Sequence, residues 1–95
     1  MDLKFTSNQT VVTCGINAKM QEDLNFMEHV HACTLRHFMG DWGNMDEEDK
    51  EENEKGLASG KQRLMSSYEE PGHPKVWVIT EWDRSVTTVL FPSEY

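Results

Sequence analysis

Apolar residues follow two different rhythms along this chain. In the N-terminal half they recur at helical steps; in the C-terminal part they alternate. Leu3 and Phe5 alternate with polar neighbours, and Thr10-Val11-Val12-Thr13 is β-branched, so the start is β-leaning, with Ser7-Asn8 as a turn. Asn17 can cap a short helix that buries Met20 and Leu24 at i and i+4. A second helix is predicted from about Phe26 to Met39, where Met27, Val30, Thr34 and Phe38 recur at steps of three and four and Leu35 and Met39 widen the stripe. The join near Asn25 fits either a kink or a break. Gly40 suits a left-handed C-cap, and Arg36 and His37 suit the negative end of the helix dipole.

Asp41-Trp42-Gly43-Asn44 reads as a tight turn, with Trp42 as an anchor between helices and sheet. Asn44 or Asp46 can cap a third helix that Gly56 and Gly60 help to stop. Three strands follow: Arg63 to Glu69, Lys75 to Trp82 and Val86 to Phe91. The Glu70-Pro71-Gly72-His73-Pro74 and Asp83-Arg84-Ser85 turns separate them. The middle strand is apolar on both faces at its start and is placed centrally. Pro92 ends the last, because it cannot donate to a ladder. The expectation is a single domain over residues 1–95, of α+β class: helices packed on one face of an antiparallel three- to four-stranded sheet, with an N-terminal strand at an edge.

Ninety-five residues suffice for one modest core, since a chain of this size buries roughly 60–68% of its unfolded surface. The formal net charge is -8. That argues against binding phosphate backbones or anionic membranes and favours a basic partner or simple solubility. Seven acids and two lysines lie between positions 46 and 55, a net of −5. No apolar run approaches the ~20 residues of a membrane span. With two cysteines and no leader-like start, the expected setting is the cytoplasm, with free thiols.

Several groupings can carry chemistry. His29, Cys33 and His37 stand at i, i+4 and i+8, a spacing that can present nitrogen and sulfur ligands to zinc, with Asp41 as a fourth. The competing explanation is a buried thiol and a histidine placed by the helix dipole. Glu81, Asp83, Arg84 and Ser85 sit at a hairpin tip and, with His37 and Asp41, could form a metal or acid–base site. Against that, Asp83 is a natural turn cap. No serine lies in a nucleophile elbow, and no phosphate-binding glycine loop is present. No cofactor is expected. In the acidic segment Asp46, Glu47, Glu48, Asp49, Glu51, Glu52 and Glu54 form rows at i, i+3, i+4 and i+7, with neighbours roughly 5–6 Å apart. Such rows can imitate a phosphate track; equally they can form a solvated helix face.

Val12-Thr13-Cys14-Gly15, Arg36-His37 with Gly40-Asp41-Trp42-Gly43, Asp46-Glu47-Glu48-Asp49 with Asn53, Arg63-Leu64-Met65-Ser66-Ser67-Tyr68, Val76-Trp77-Val78-Ile79-Thr80-Glu81, Asp83-Arg84-Ser85, Thr87-Thr88 and Pro92-Ser93-Glu94-Tyr95 together make a specific pattern. It resembles a small family of bacterial proteins carried on plasmids, integrated elements and phages and labelled "plasmid-related protein". The chain departs from that family's pattern at Cys14, where proline is expected, and at Trp82, where a small residue is expected. The stretch between Gly15 and Arg36 is also longer than the pattern. The resemblance implies a mobile-element setting rather than an activity.

Setting and charge together lead to an expectation. The chain is a non-enzymatic, cytoplasmic protein-binding module that inhibits a host nucleic-acid-targeting defence complex, of anti-CRISPR or anti-restriction kind. Its partner is a host protein with a basic nucleic-acid-binding surface, met by Asp46, Glu47, Glu48, Asp49, Glu51, Glu52 and Glu54, with Trp42 and Trp82 as aromatic anchors. It would contact neither nucleic acid nor membrane directly. Two rivals stand beside it: a metal-binding protein or metal-dependent enzyme using His37, Asp41, Glu81 and Asp83, and a homodimer built through an exposed strand edge.

Overall fold

A computed structural model describes residues 2–95. The elements run β1 (Gln9–Val12), α1 (Cys14–Glu22), α2 (Leu24–Phe38), α3 (Glu47–Ser59), β2 (Leu64–Tyr68), β3 (Val76–Thr80), β4 (Val86–Leu90), and a closing 3-10 turn at Pro92–Glu94. The four strands make one sheet in the order β1-β4-β3-β2. The class is α+β, with the strongest strand inside the sheet as its composition requires.

The C-terminal strands pair antiparallel, while β1 joins the edge beside β4 in parallel, with Val12 opposite Val89. Parallel pairing needs a long crossover, which the helices supply. Alternation places a strand in a sheet but does not give its direction. The first helix begins earlier than Asn17: Thr13 caps it, its hydroxyl accepting from the Ile16 amide. Asp23 settles the join near Asn25 as a break. It ends α1, and its carboxylate accepts from the Phe26 amide to start α2.

Helices α1 and α2 cover one face of the sheet. Ile16, Phe26, Val30 and Cys33 pack there against Tyr68, Val76, Val78 and Val89, all at most 1% exposed. Each large side chain buried this way stabilises the fold by roughly 1.5–3 kcal/mol. The opposite face carries Met65, Ser67, Trp77, Ile79, Thr88 and Leu90, by the two-residue alternation of each strand, and none of the described helices lies across it.

Helix α3 takes a third position, along the β2 edge. The buried Asn53 side chain donates to the Met65 carbonyl at 2.7 Å and accepts from the Met65 amide at 3.2 Å, as a neighbouring strand would. The turn before α3 continues this edging. Ser67 donates to the Trp42 carbonyl, Asn44 donates to the Ser67 carbonyl, and the Asn44 side chain accepts from the Glu69 amide. The β2 edge is therefore closed, and among the described strands β1 forms the other edge of the sheet.

Candidate interaction surface

The acidic helix is held by three attachments. Its N-cap is Asp46, whose carboxylate accepts from the Asp49 amide at 2.8 Å. Its middle is tied to β2 by Asn53 and to the preceding turn by Glu54, which accepts the Trp42 indole N–H at 3.0 Å. Its end is gripped by Arg84, which takes a left-handed backbone (φ 61°) and sends its guanidinium to the carbonyls of Gly56, Gln62, Glu81 and Trp82. The helix of 13 residues is thus pinned along a length of about 20 Å.

All seven acids of the segment are exposed. Glu47 pairs with Lys50 at 3.7 Å and Glu52 with Lys55 at 3.3 Å. Such exposed pairs are worth at most about 1 kcal/mol. Asp46, Asp49 and Glu52 turn toward the uncovered face of the sheet, where they border a hollow with Met65 and Trp77. Glu47, Glu48 and Glu51 do not line it. The acids of the first turn also sit at the positive end of the helix dipole, which favours the helix by roughly 0.3–1 kcal/mol each.

The two tryptophans expected as partner-facing anchors part company. Trp42 is only 4% exposed and spends its indole N–H on Glu54, so it anchors the turn to the fold, not a partner. The Phe5 ring stacks on it at 6.3 Å and the His37 ring meets it edge-on at 5.7 Å. Trp82 is 63% exposed on the β3–β4 hairpin. Through Arg84 that hairpin adjoins the C-terminal end of α3, whereas Asp46 to Asp49 lie at the other end.

His37 is fully buried, with no exposed surface. Nδ1 meets the Ser66 hydroxyl and Nε2 lies 2.9 Å from the Thr80 hydroxyl, which continues to Thr87 at 2.7 Å and Ser7 at 2.8 Å. This polar chain crosses three strands. Burial, helped by the charge of Arg84, pushes the His37 pKa down to about 3, so the ring is neutral at pH 7. A serine beside a histidine suggests a nucleophile and base, but both side chains are fully buried and the second nitrogen meets a threonine, not an orienting carboxylate. Its role is a satisfied buried polar network.

The proposed ligand sets do not converge. His37 faces the sheet, while His29 packs ring to ring with His73, centroids 4.1 Å apart, and its Nε2 lies 3.5 Å from the Cys33 sulfur. Eight helical residues advance the direction of a side chain by about 80° beyond two turns and its position by about 12 Å, which separates His37 from His29. Burial pushes the Cys33 thiol up to about 11. Asp41 is taken by Arg36 at 2.8 Å and by the Gly43 amide, and Asp83 caps the Ser85 amide. Hydrogen bonding to these partners lowers both carboxyl pKa values. Glu81 is half-buried beside the hairpin. Among the described residues no three His, Cys, Asp or Glu side chains are arranged to hold a metal ion. Cys14 and Cys33 are both free.

No family model, no curated protein and no solved structure matches this chain. None of the described helices is long and apolar enough to cross a membrane. The structurally decisive residues that composition did not single out are Asn53, Arg84 and the Met65–Trp77 pair. Strand alternation could have separated Trp77 and Ile79 from Val76 and Val78. The sequence carries no local signal for the reach of Arg84 across to Gly56.

Proposed function

We propose that this chain is a non-enzymatic protein-binding module of a mobile element, acting in the cytoplasm. It occupies a basic, nucleic-acid-binding surface of a host defence complex, of anti-CRISPR or anti-restriction kind. Support comes chiefly from the acidic helix itself: six exposed carboxylates, with a seventh at the Asp46 cap, on a helix fixed to the sheet edge by Asn53, Trp42–Glu54 and Arg84. A rigid carrier loses little conformational entropy when charges are matched by a partner. Residues 41–95 carry 13 acids and 6 bases, a net of −7, against −1 for residues 1–40, so the field is concentrated in one part of the chain. The resemblance to plasmid- and phage-borne proteins supplies the setting.

The test compares the protein with a variant in which Glu47, Glu48, Glu51 and Glu52 are changed to Gln. Each is used to capture complexes from a host lysate, washed with rising salt and then with duplex DNA. A nucleic-acid-binding complex released by both salt and DNA, and captured about tenfold less by the variant, is the expected result. Equal capture by the two proteins, or retention that ignores salt and DNA, refutes the proposal.

A further inference from the structure

The sheet has one face under α1 and α2 and a second face across which none of the described helices lies. On that second face Met65 and Trp77 remain half-buried, Trp77 with the Tyr95 ring packed edge-on against it. They form the floor of a hollow of about 510 Å³, together with Met45. One wall is α3, which presents Asp46, Asp49 and Glu52 at successive three-residue steps. Among the described residues that line the hollow the one cation is Arg63, whose guanidinium lies 5.5 Å from the ring centre of Tyr95, which in turn packs edge-on to Trp77; Lys55, outside the lining, pairs with Glu52 at 3.3 Å. Three carboxylates against one guanidinium leave a lining charge of −2.

An apolar, aromatic floor beside a carboxylate wall matches one kind of side chain. Arginine and lysine carry a long alkyl stem that lies on apolar surface and a cation that seeks an acid or an aromatic face. A purely apolar segment would leave the wall desolvated and unpaired. A purely ionic contact would find the outward acids Glu47, Glu48 and Glu51 equally good and would have no use for Met65 and Trp77.

We propose that this hollow seats an arginine- or lysine-bearing loop of a partner protein, its stem across Met65 and Trp77 and its cation on Asp49 and Glu52. The proposal rests on the reading of the chain as a module for a basic partner, and it locates the specific part of that contact off the exposed helix face and in the groove beside it.

The probe is a capped peptide alternating arginine with valine, with a neutral citrulline version as control, titrated into the full chain and followed by NMR. The expected result is saturable movement of the Trp77 indole and the Met45 and Met65 methyl signals, while the Trp42 and Trp82 indoles stay in place. D49N/E52Q, both exposed positions, should weaken binding by about tenfold. E47Q/E48Q/E51Q should leave it within about twofold. The citrulline peptide should not bind. Peptide that moves α3 amides but not Trp77, or that binds D49N/E52Q as well as the parent, overturns the proposal. The two proposals separate by lysate capture: a host complex held equally by D49N/E52Q leaves the acidic module standing and removes the groove. Groove binding of the arginine peptide without capture of any nucleic-acid complex does the reverse.

Discussion

Acid should destabilise this fold well before its carboxylates titrate, because His37 is buried neutral. Its pKa is about 3 folded against 6.5 for the exposed side chain. The folded pKa is the lower one, so the contribution to stability is complete above about pH 6.5 and is lost as pH falls toward 3. In that window the unfolded chain takes up a proton that the folded chain refuses, at about 1.4 kcal/mol per pH unit. Between about pH 7 and pH 5 the loss is therefore about 2 kcal/mol. That is a substantial part of the roughly 5–14 kcal/mol expected for a domain of 95 residues. His29, whose pKa is lowered by burial and then by His73, pulls in the same direction. Asp41, Asp83 and Glu94 are lowered carboxylates and act only in more acidic solution.

The assay is urea unfolding followed by tryptophan fluorescence at about pH 7, 6 and 5 and constant ionic strength, alongside His37→Gln. The parent midpoint should fall steadily while the variant, less stable at neutral pH, flattens. An unchanged parent midpoint from about pH 7 to pH 5 would refute the reasoning. So would a His37 ring signal that titrates in the folded protein near its ordinary value.

Other substitutions test the scaffold. Asn53→Leu removes both bonds to the Met65 backbone; it should cost roughly 1–3 kcal/mol in urea unfolding and speed exchange of the Met65 amide. At Gly43 (φ 70°) an added Cβ would strike the Ser67 carbonyl and the Tyr68 ring, whereas at Gly60 (φ 69°) it would meet open space. Gly43→Ala should accordingly be several times more damaging than Gly60→Ala, whose cost is about 1 kcal/mol of backbone strain, as thermal melts will report. Glu94 accepts from the Thr13 hydroxyl and the Gly15 amide, closing the C-terminus onto α1. Glu94→Gln should lower the melting temperature and raise exchange at Gly15; protection equal to the parent would dismiss the clasp.

The legible parts of this protein were those that depend on neighbours in sequence. Apolar spacing gave the long second helix and three C-terminal strands to within a residue or two. The acid run at 46–54 announced an exposed helix, since so many carboxylates cannot be desolvated together. Trp42 between two glycines announced a buried turn anchor, and it is one.

What the sequence by itself determined is therefore the class of the fold and the extent of its longer elements, because periodicity is a local property of the backbone; it did not settle every buried side, since Leu24, expected inside, is 65% exposed and α2 buries Phe26, Val30, Cys33 and His37 rather than the stripe of Met27, Val30, Thr34 and Phe38. Tertiary structure alone decided how the pieces meet. Strand direction at β1 depends on a crossover, not on residue type. The fate of His37 depends on Ser66 and Thr80, 29 and 43 residues away, which turn a ligand candidate into a neutral crosspiece of the core. Asn53 becomes a substitute strand only because α3 is laid along β2. The division of seven similar carboxylates into three that border the hollow and others that face water likewise arises from docking, which fixes the rotation of the helix about its axis. A spacing along the chain fixes only angles between side chains on that helix; which of those angles meets the sheet is a long-range contact.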